Sequence, residues 1–291
     1  MRLGDQTQGL KKTDLEKVRL GGDRLEDYVE FWERSAKTDA IKAIADTADA
    51  ESFEHSGIGD ARTVLALAPE QAVVLEIGCG IGRVLQHLAS GCREVHGVDI
   101  SREMVAKGAE RLAHLPNVHF HHGNGYDLGN FADATFDLVY SAYVFQHMPK
   151  TIAFNYMTEA CRVLKPDGVF WLEVPNLLRA EHFDAFRHFT QPYFVENPYP
   201  MNFYTPIEVV RMLEAAGFGV LSLDDHMQVV ARKGATTADQ AVSSRLGAGE
   251  RAHFQARIAE LEQEVRRMRK VYDQPAVQAA LRVRRRLLRR G

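Results

Sequence analysis

The chain has 291 residues, 45% of them hydrophobic and 26% charged, and a formal net charge of -3. That length allows one sizeable core plus extensions, and no apolar run approaches the roughly 20 residues a membrane span needs. Cys79, Cys92 and Cys161 supply neither a disulfide framework nor a paired-cysteine zinc signature, and the Asp and His spacings commit to no metal.

In chain order, residues 1–24 are polar, carry four glycines and show no period. They lack the apolar stretch of a secretory signal, so a reducing cytoplasm is the expected compartment. From Leu25 to about Asp49 the pattern turns helical, with Tyr28, Phe31 and Trp32 on one face. A further helix is expected over 61–68, ended by Pro69. From Ala72 short apolar runs alternate with helical stretches. Strands are predicted at Val73–Ile77, Val95–Ile100, Val118–His121, Phe136–Ser141 and Val169–Val174, and helices near 83–90, 102–112 and 152–164. Such alternation implies βαβ units and a parallel sheet covered on both faces. The pattern lapses over 175–203, a stretch rich in aromatics and histidine. Thr205, Pro206 and Glu208 then mark a capped helix start, followed by strand-like runs at 219–223 and 227–232.

The richest segment is Val74–Ala89, VLEIGCGIGRVLQHLA. An apolar strand runs into Gly78, Cys79, Gly80, Ile81 and Gly82, then into a helix whose first N–H groups lack partners. A dinucleotide turn needs a third glycine where Arg83 stands. Here it comes one residue early, at Gly82, and Glu76 lies two residues ahead of the first glycine. A second strand ends in Asp99, where a carboxylate can accept hydrogen bonds from both hydroxyls of a ribose. Asp99 could instead cap the helix starting near Ser101. Gly123-Asn124-Gly125, FDLVYSAYVFQHMP (136–149) and EACRVLKPDGVFWLEVP (159–175) follow.

This series resembles the motifs of the class I S-adenosylmethionine-dependent methyltransferases over roughly residues 60–232. The resemblance implies an α/β, Rossmann-like fold with a mostly parallel seven-stranded sheet, an N-terminal helical cap (1–60), a cofactor domain (61–233, insertion 175–203) and a helical tail (234–291). It implies S-adenosylmethionine as cofactor, held by Glu76, Gly78, Cys79, Gly80, Gly82, Asp99, Ile100, Asn124, Gly125 and Ser141. A hydroxyl acceptor also needs a base. His147, His182 and His188 are the candidates, with His226 behind them; each could equally be a packing or surface histidine. The aromatic insertion is the expected substrate lid, or else a loop buried against the N-terminal helices.

The tail differs in charge, with 13 basic and 5 acidic residues over 245–291. Phe254, Ile258, Leu261, Val265, Met268 and Tyr272 form a short heptad seam, which suits a homodimer contact through 250–272 or intramolecular packing. The arginines of 275–291 suit a solvated face, an anionic membrane surface at the inner face of the membrane, or nucleic acid. The acidic remainder of the chain counts against the last. Methyltransferases with appended helical, basic tails of this kind resemble enzymes that modify bacterial cell-surface glycans, and that resemblance implies a sugar hydroxyl of a saccharide or glycolipid as the acceptor. A small natural product or lipid is the alternative, as is a scaffold that keeps the nucleoside pocket without turnover.

Overall fold

Seven strand segments pair into one sheet, and the intervening helices pack on both of its faces. The computed structural model describes residues 19–20, 23–45, 50–189 and 201–237, all within the compact unit Met1–Ala241. A short antiparallel pair, β1 (Arg19–Leu20) and β2 (Asp23–Arg24), leads into helix α1 (Leu25–Ala45), broken at Asp39 by an extended residue. Then come α2 (Ala50–Leu67), β3 (Val73–Ile77), α3 (Leu85–Leu88), β4 (Glu94–Asp99), α4 (Arg102–Arg111) and β5 (Val118–His122). The second half contains β6 (Phe136–Ala142), α5 (Lys150–Val163), β7 (Leu164–Glu173), α6 (Ala180–His188), α7 (Pro206–Ala215), β8 (Phe218–Leu223) and β9 (Gln228–Lys233).

The sheet order is β5-β4-β3-β6-β7-β9-β8. The first five strands are parallel, and β9 runs antiparallel to both β7 and β8. The winding reverses between β3 and β6, so a crevice opens beyond their carboxyl ends, where ligands of such sheets bind. One face packs Ile152, Tyr156 and Met157 of α5 and Val209 and Leu213 of α7 against Val139, Phe170 and Leu172. The other packs Val64, Leu85, Leu88 and Leu112 against Val74, Leu138, Tyr140 and Trp171. Each large side chain buried this way contributes about 1.5–3 kcal/mol.

Four elements differ from expectation. Helix α2 begins at Ala50 rather than near 61, and α3 is shorter than 83–90 because the glycine turn runs on through Val84. Strand β7 is assigned from Leu164, but its register with β6 breaks at the expected Lys165–Gly168 turn. Helix α6 arises inside the aromatic insertion. The Thr205–Glu208 capping box forms as read. Residues 1–18, the aromatic positions of 190–200, the heptad seam and the arginine-rich end lie outside the described residues. No helix among the described residues is long and apolar enough to cross a membrane.

A single carboxylate ties the N-terminal helix to the sheet domain. Glu33 Oε1 accepts from the Arg102 N–H at 2.9 Å and Oε2 from the Glu103 N–H at 3.2 Å, while Ser101 Oγ donates to Oε2 at 3.0 Å. Lys107 Nζ adds a bond to the Ala36 carbonyl. These are the unpaired donors of the α4 N-terminus, where negative charge is favoured. Burial pushes the Glu33 pKa up, yet the two backbone N–H groups and Ser101 hold it below its ordinary value. We expect Glu33→Ala to destabilise the protein at pH 7 by about 1–2 kcal/mol. A depressed carboxylate stabilises above its unfolded pKa and loses this as pH falls through the folded one. The gap between wild type and variant in thermal unfolding should therefore close on acidification.

Candidate functional site

The crevice is a cavity of about 1130 Å³ counting its open mouth. Its floor is the turn after β3. Gly78 lines it at φ +78°, and a Cβ there would stand 2.4 Å from Val144 Cγ2 on the facing wall. Any side chain at 78 would be strained and would collide with that wall. Gly80, at φ +52°, turns its N–H toward Asp99 Oδ2 at 2.8 Å. The other oxygen, Oδ1, accepts from the Ser101 N–H at 2.9 Å. A carboxylate has about four acceptor positions, so acceptor capacity remains for ribose hydroxyls. Burial raises the Asp99 pKa, and the Ser101 and Gly80 bonds oppose that rise.

Cys79, Ile100, Met104 and Gly125 complete this side, and Tyr28 and Trp32 of α1 close it from above. Glu76 lines the deep end, almost fully buried, and accepts from the Tyr140 hydroxyl at 2.8 Å. Burial pushes its pKa up to about 8, against the Tyr140 bond and the charge of Arg83. Between roughly pH 4.5 and 8 the native state thus holds a proton that the unfolded chain has released, so stability falls as pH rises through this window. We expect Glu76→Gln to flatten that slope. By pH 9 it should make the ligand-free protein more stable than wild type by on the order of 5 kcal/mol, read from denaturant unfolding at several pH values.

Not every expected cofactor residue lines the cavity. Gly82 faces away: a Cβ there would meet Phe120 and Leu112, so this glycine serves the packing of α4 and β5. Ser141 is buried with its hydroxyl donating to the Ile77 carbonyl at 2.9 Å, a tie between β6 and β3. Asn124 binds its own loop, accepting from the Tyr126 and Asp127 N–H groups and donating to Asp127 Oδ1.

The candidate bases separate in space. His147, in a short 3-10 turn after β6, lines the cavity, and its ring meets Trp32 edge-on at 5.2 Å. His182, His188 and His226 are outside the lining. His182 Nδ1 lies 2.9 Å from the Asn176 N–H and braces the turn before α6. His188 is exposed beside Phe189, and His226 is exposed between β8 and β9. The described part of the insertion, with Phe183 and Phe186 largely exposed, does not line the cavity either.

Motif reading passed over Tyr143, which lines the cavity, and the buried Glu173 bonded to it. Tyr143 lines the cavity with φ +59°, a strained backbone for an aromatic residue and a common mark of functional sites. Its hydroxyl donates to Glu173 Oε1 at 2.8 Å. Burial raises the Glu173 pKa, opposed by Tyr143 and by Gln228. Even so, Glu173 Oε2 is buried and makes no hydrogen bond of ordinary geometry among the described residues. Burial and positive φ signal these two only once the fold is known.

A glycine turn at the switch point, an acid at the next strand end and a roofed crevice define a Rossmann-like nucleoside-binding domain. Residues 74–168 match the family described as "Methyltransferase domain". A "Probable S-adenosylmethionine-dependent methyltransferase" of Mycolicibacterium smegmatis is 33% identical over 147 residues, half of this chain and 52% of that protein. Phosphoethanolamine N-methyltransferase 1 of Caenorhabditis elegans is 26% identical over 51% of this chain and 31% of its own length. The chain thus spans about half, or less, of these relatives. Among solved structures, Haemonchus contortus phosphoethanolamine N-methyltransferase 1, in complex with phosphoethanolamine and S-adenosylhomocysteine, superposes with a TM-score of 0.57 at 19% identity. That match covers 78% of this chain and 52% of the other. The CcbJ methyltransferase of Streptomyces caelestis gives 0.51 at 24%, over 68% of this chain and 97% of its own. At these identities the likeness shows the fold. Residues 74–168 thus match a methyltransferase domain, the sheet has the fold of the S-adenosylmethionine-dependent methyltransferases it resembles, and the acceptor positions of Asp99 beside the bare Gly78–Gly80 turn fit the nucleoside of S-adenosylmethionine.

Proposed function

We propose that this chain transfers the methyl group of S-adenosylmethionine to a hydroxyl oxygen of a small acceptor, a sugar hydroxyl of a saccharide or glycolipid being the leading candidate. Bound in the crevice, the cofactor supplies a methyl group on a positively charged sulfur, already activated for in-line displacement. The chain's task is to hold two reactants in line and exclude water. Asp99 would hold the ribose hydroxyls, the Gly78–Gly80 turn would lie against the nucleoside, and Glu76 would face the amino-acid end. His147 would take the hydroxyl proton. The observation that carries this reading is a histidine set in the wall of the cavity that Asp99 also lines, its ring against Trp32. Tyr28, Trp32 and Tyr143 line the same space. Their flat apolar faces and polar tips suit a sugar ring.

A second reading is transfer to an amine. Glu173, with one buried oxygen lacking a hydrogen bond, would favour a cationic acceptor, and two of the relatives and neighbours are named for phosphoethanolamine. Radiolabelled methyl transfer from S-adenosylmethionine into a panel of saccharides, glycolipids, lipids and amines tests both. Label in an O-methyl sugar supports the first, and label only in an N-methyl product supports the second. Cofactor binding without transfer to any fraction of a cell extract would overturn both.

A further inference from the structure

Outside the crevice, the face of β4 and β5 gathers imidazoles. Side chains two apart along a strand share a face, so Glu94 and His96 of β4 stand beside His119 and His121 of β5. The parallel register pairs His96 with His119 and Val98 with His121. Ring centres of His96 and His119 are 4.9 Å apart, and those of His96 and His121 are 5.2 Å apart and stacked. One ligand atom each from Glu94, His96 and His119 lie within 4.8 Å of one another. Around a zinc ion with bonds of 2.0–2.1 Å, tetrahedral ligand atoms stand about 3.3 Å apart, so small side-chain rotations would close the set.

The hydrogen bonding of His96 is compatible with such an ion. Its Nδ1 lies 3.0 Å from His121 Nε2, and its Nε2 lies 3.2 Å from Glu94 Oε2. A neutral imidazole has one ring proton. With that proton given to His121, Nε2 and the Glu94 carboxylate face each other as two lone-pair donors, an arrangement a cation between them would satisfy. His121 then does for His96 what an outer partner does for a metal-bound histidine, fixing its tautomer and ring orientation. Phe131 and Phe136 pack edge-on against this cluster, while Glu94 is 46% exposed and leaves an entry path.

We propose that Glu94, His96 and His119 form a site for a divalent transition-metal ion of the zinc type, with His121 positioning His96. Two nitrogens and one carboxylate leave a fourth position for water. None of these residues lines the crevice. The site's effect is structural: it joins the edge strand β5 to β4. Those strands lead to Asp99 and, one turn later, to Gly125, so the ion stiffens one side of the cofactor site from a distance of about 10 Å, three strand residues from His96 to Asp99.

The test uses the full chain, stripped with chelator, dialysed and titrated with Zn²⁺ alone against a chromophoric competitor. One saturable equivalent and a raised thermal midpoint are expected, with four-coordinate absorption bands when Co²⁺ replaces Zn²⁺. The double variant His96→Asn, His119→Asn should weaken Zn²⁺ binding by more than about tenfold and abolish the midpoint shift. Retained S-adenosylhomocysteine binding shows that it is folded. Should it misfold, Glu94→Gln decides, since this exposed carboxylate supports no packing and its loss should still weaken binding severalfold. No saturable binding, or equal Zn²⁺ affinity in wild type and a folded variant, would overturn the proposal.

Discussion

Asp99→Ala should weaken S-adenosylhomocysteine binding by about 100-fold or more, measured by calorimetry on the full chain. A hydrogen bond to a charged acceptor contributes about 1.5–3 kcal/mol, so two ribose hydroxyls on one carboxylate exceed the 2.7 kcal/mol or so that 100-fold represents. Asp99 also holds the N–H groups of Gly80 and Ser101, so the variant loosens the turn as well as losing the ligand contact. Asp99→Asn separates the two effects. It keeps the size and one acceptor oxygen, but its amide turns a donor toward one of those N–H groups, and affinity should fall between wild type and Asp99→Ala. Gly80→Val is expected to match Asp99→Ala by another route, because a β-branched residue is strained at φ +52°. If both single variants bind within twofold of wild type, the cofactor does not sit on this turn.

How much of this was legible in the residues follows from which forces are local. The alternation of apolar strands and amphipathic helices is local, so all seven sheet strands could be placed to within a few residues. The glycine turn and Asp99 were legible too, since both are set by the strand that carries them. Helix α6 was not: it is short, none of its residues is buried, and Phe183 and Phe186 alone on one face read as part of an aromatic loop. Gly82 and Ser141 sit in motif positions, yet what they touch depends on Phe120, Leu112 and Ile77, which lie elsewhere in the chain. Glu33 looks like any helical glutamate until α1 is laid across the start of α4, 68 residues on at Ser101. Within each strand a two-residue spacing puts Glu94 with His96, and His119 with His121, on one face, but neither pair alone makes a ligand set. Only the register of two parallel strands brings His96 beside His119.

His147→Asn is the sharper test of the chemistry. If His147 is the base for a hydroxyl acceptor, kcat should fall by about 10²–10⁴-fold. S-adenosylhomocysteine affinity should change by less than about threefold, because the ribose contacts of Asp99 are untouched. A histidine accepts a proton only in its neutral form, so the wild-type rate should fall on acidification and the variant should lose that limb. Trp32 meets the His147 ring edge-on. Trp32→Ala should therefore lower kcat more modestly while keeping the pH limb, the pattern of a residue that orients the base. An amine acceptor arriving neutral needs no base before displacement, and His147→Asn would then cost less than about tenfold while the pH limb followed the amine. Full activity in His147→Asn with an unchanged profile would leave His147 as a wall of the cavity. The polar groups left to take the acceptor's proton from the cavity lining would then include Glu76 and Tyr143.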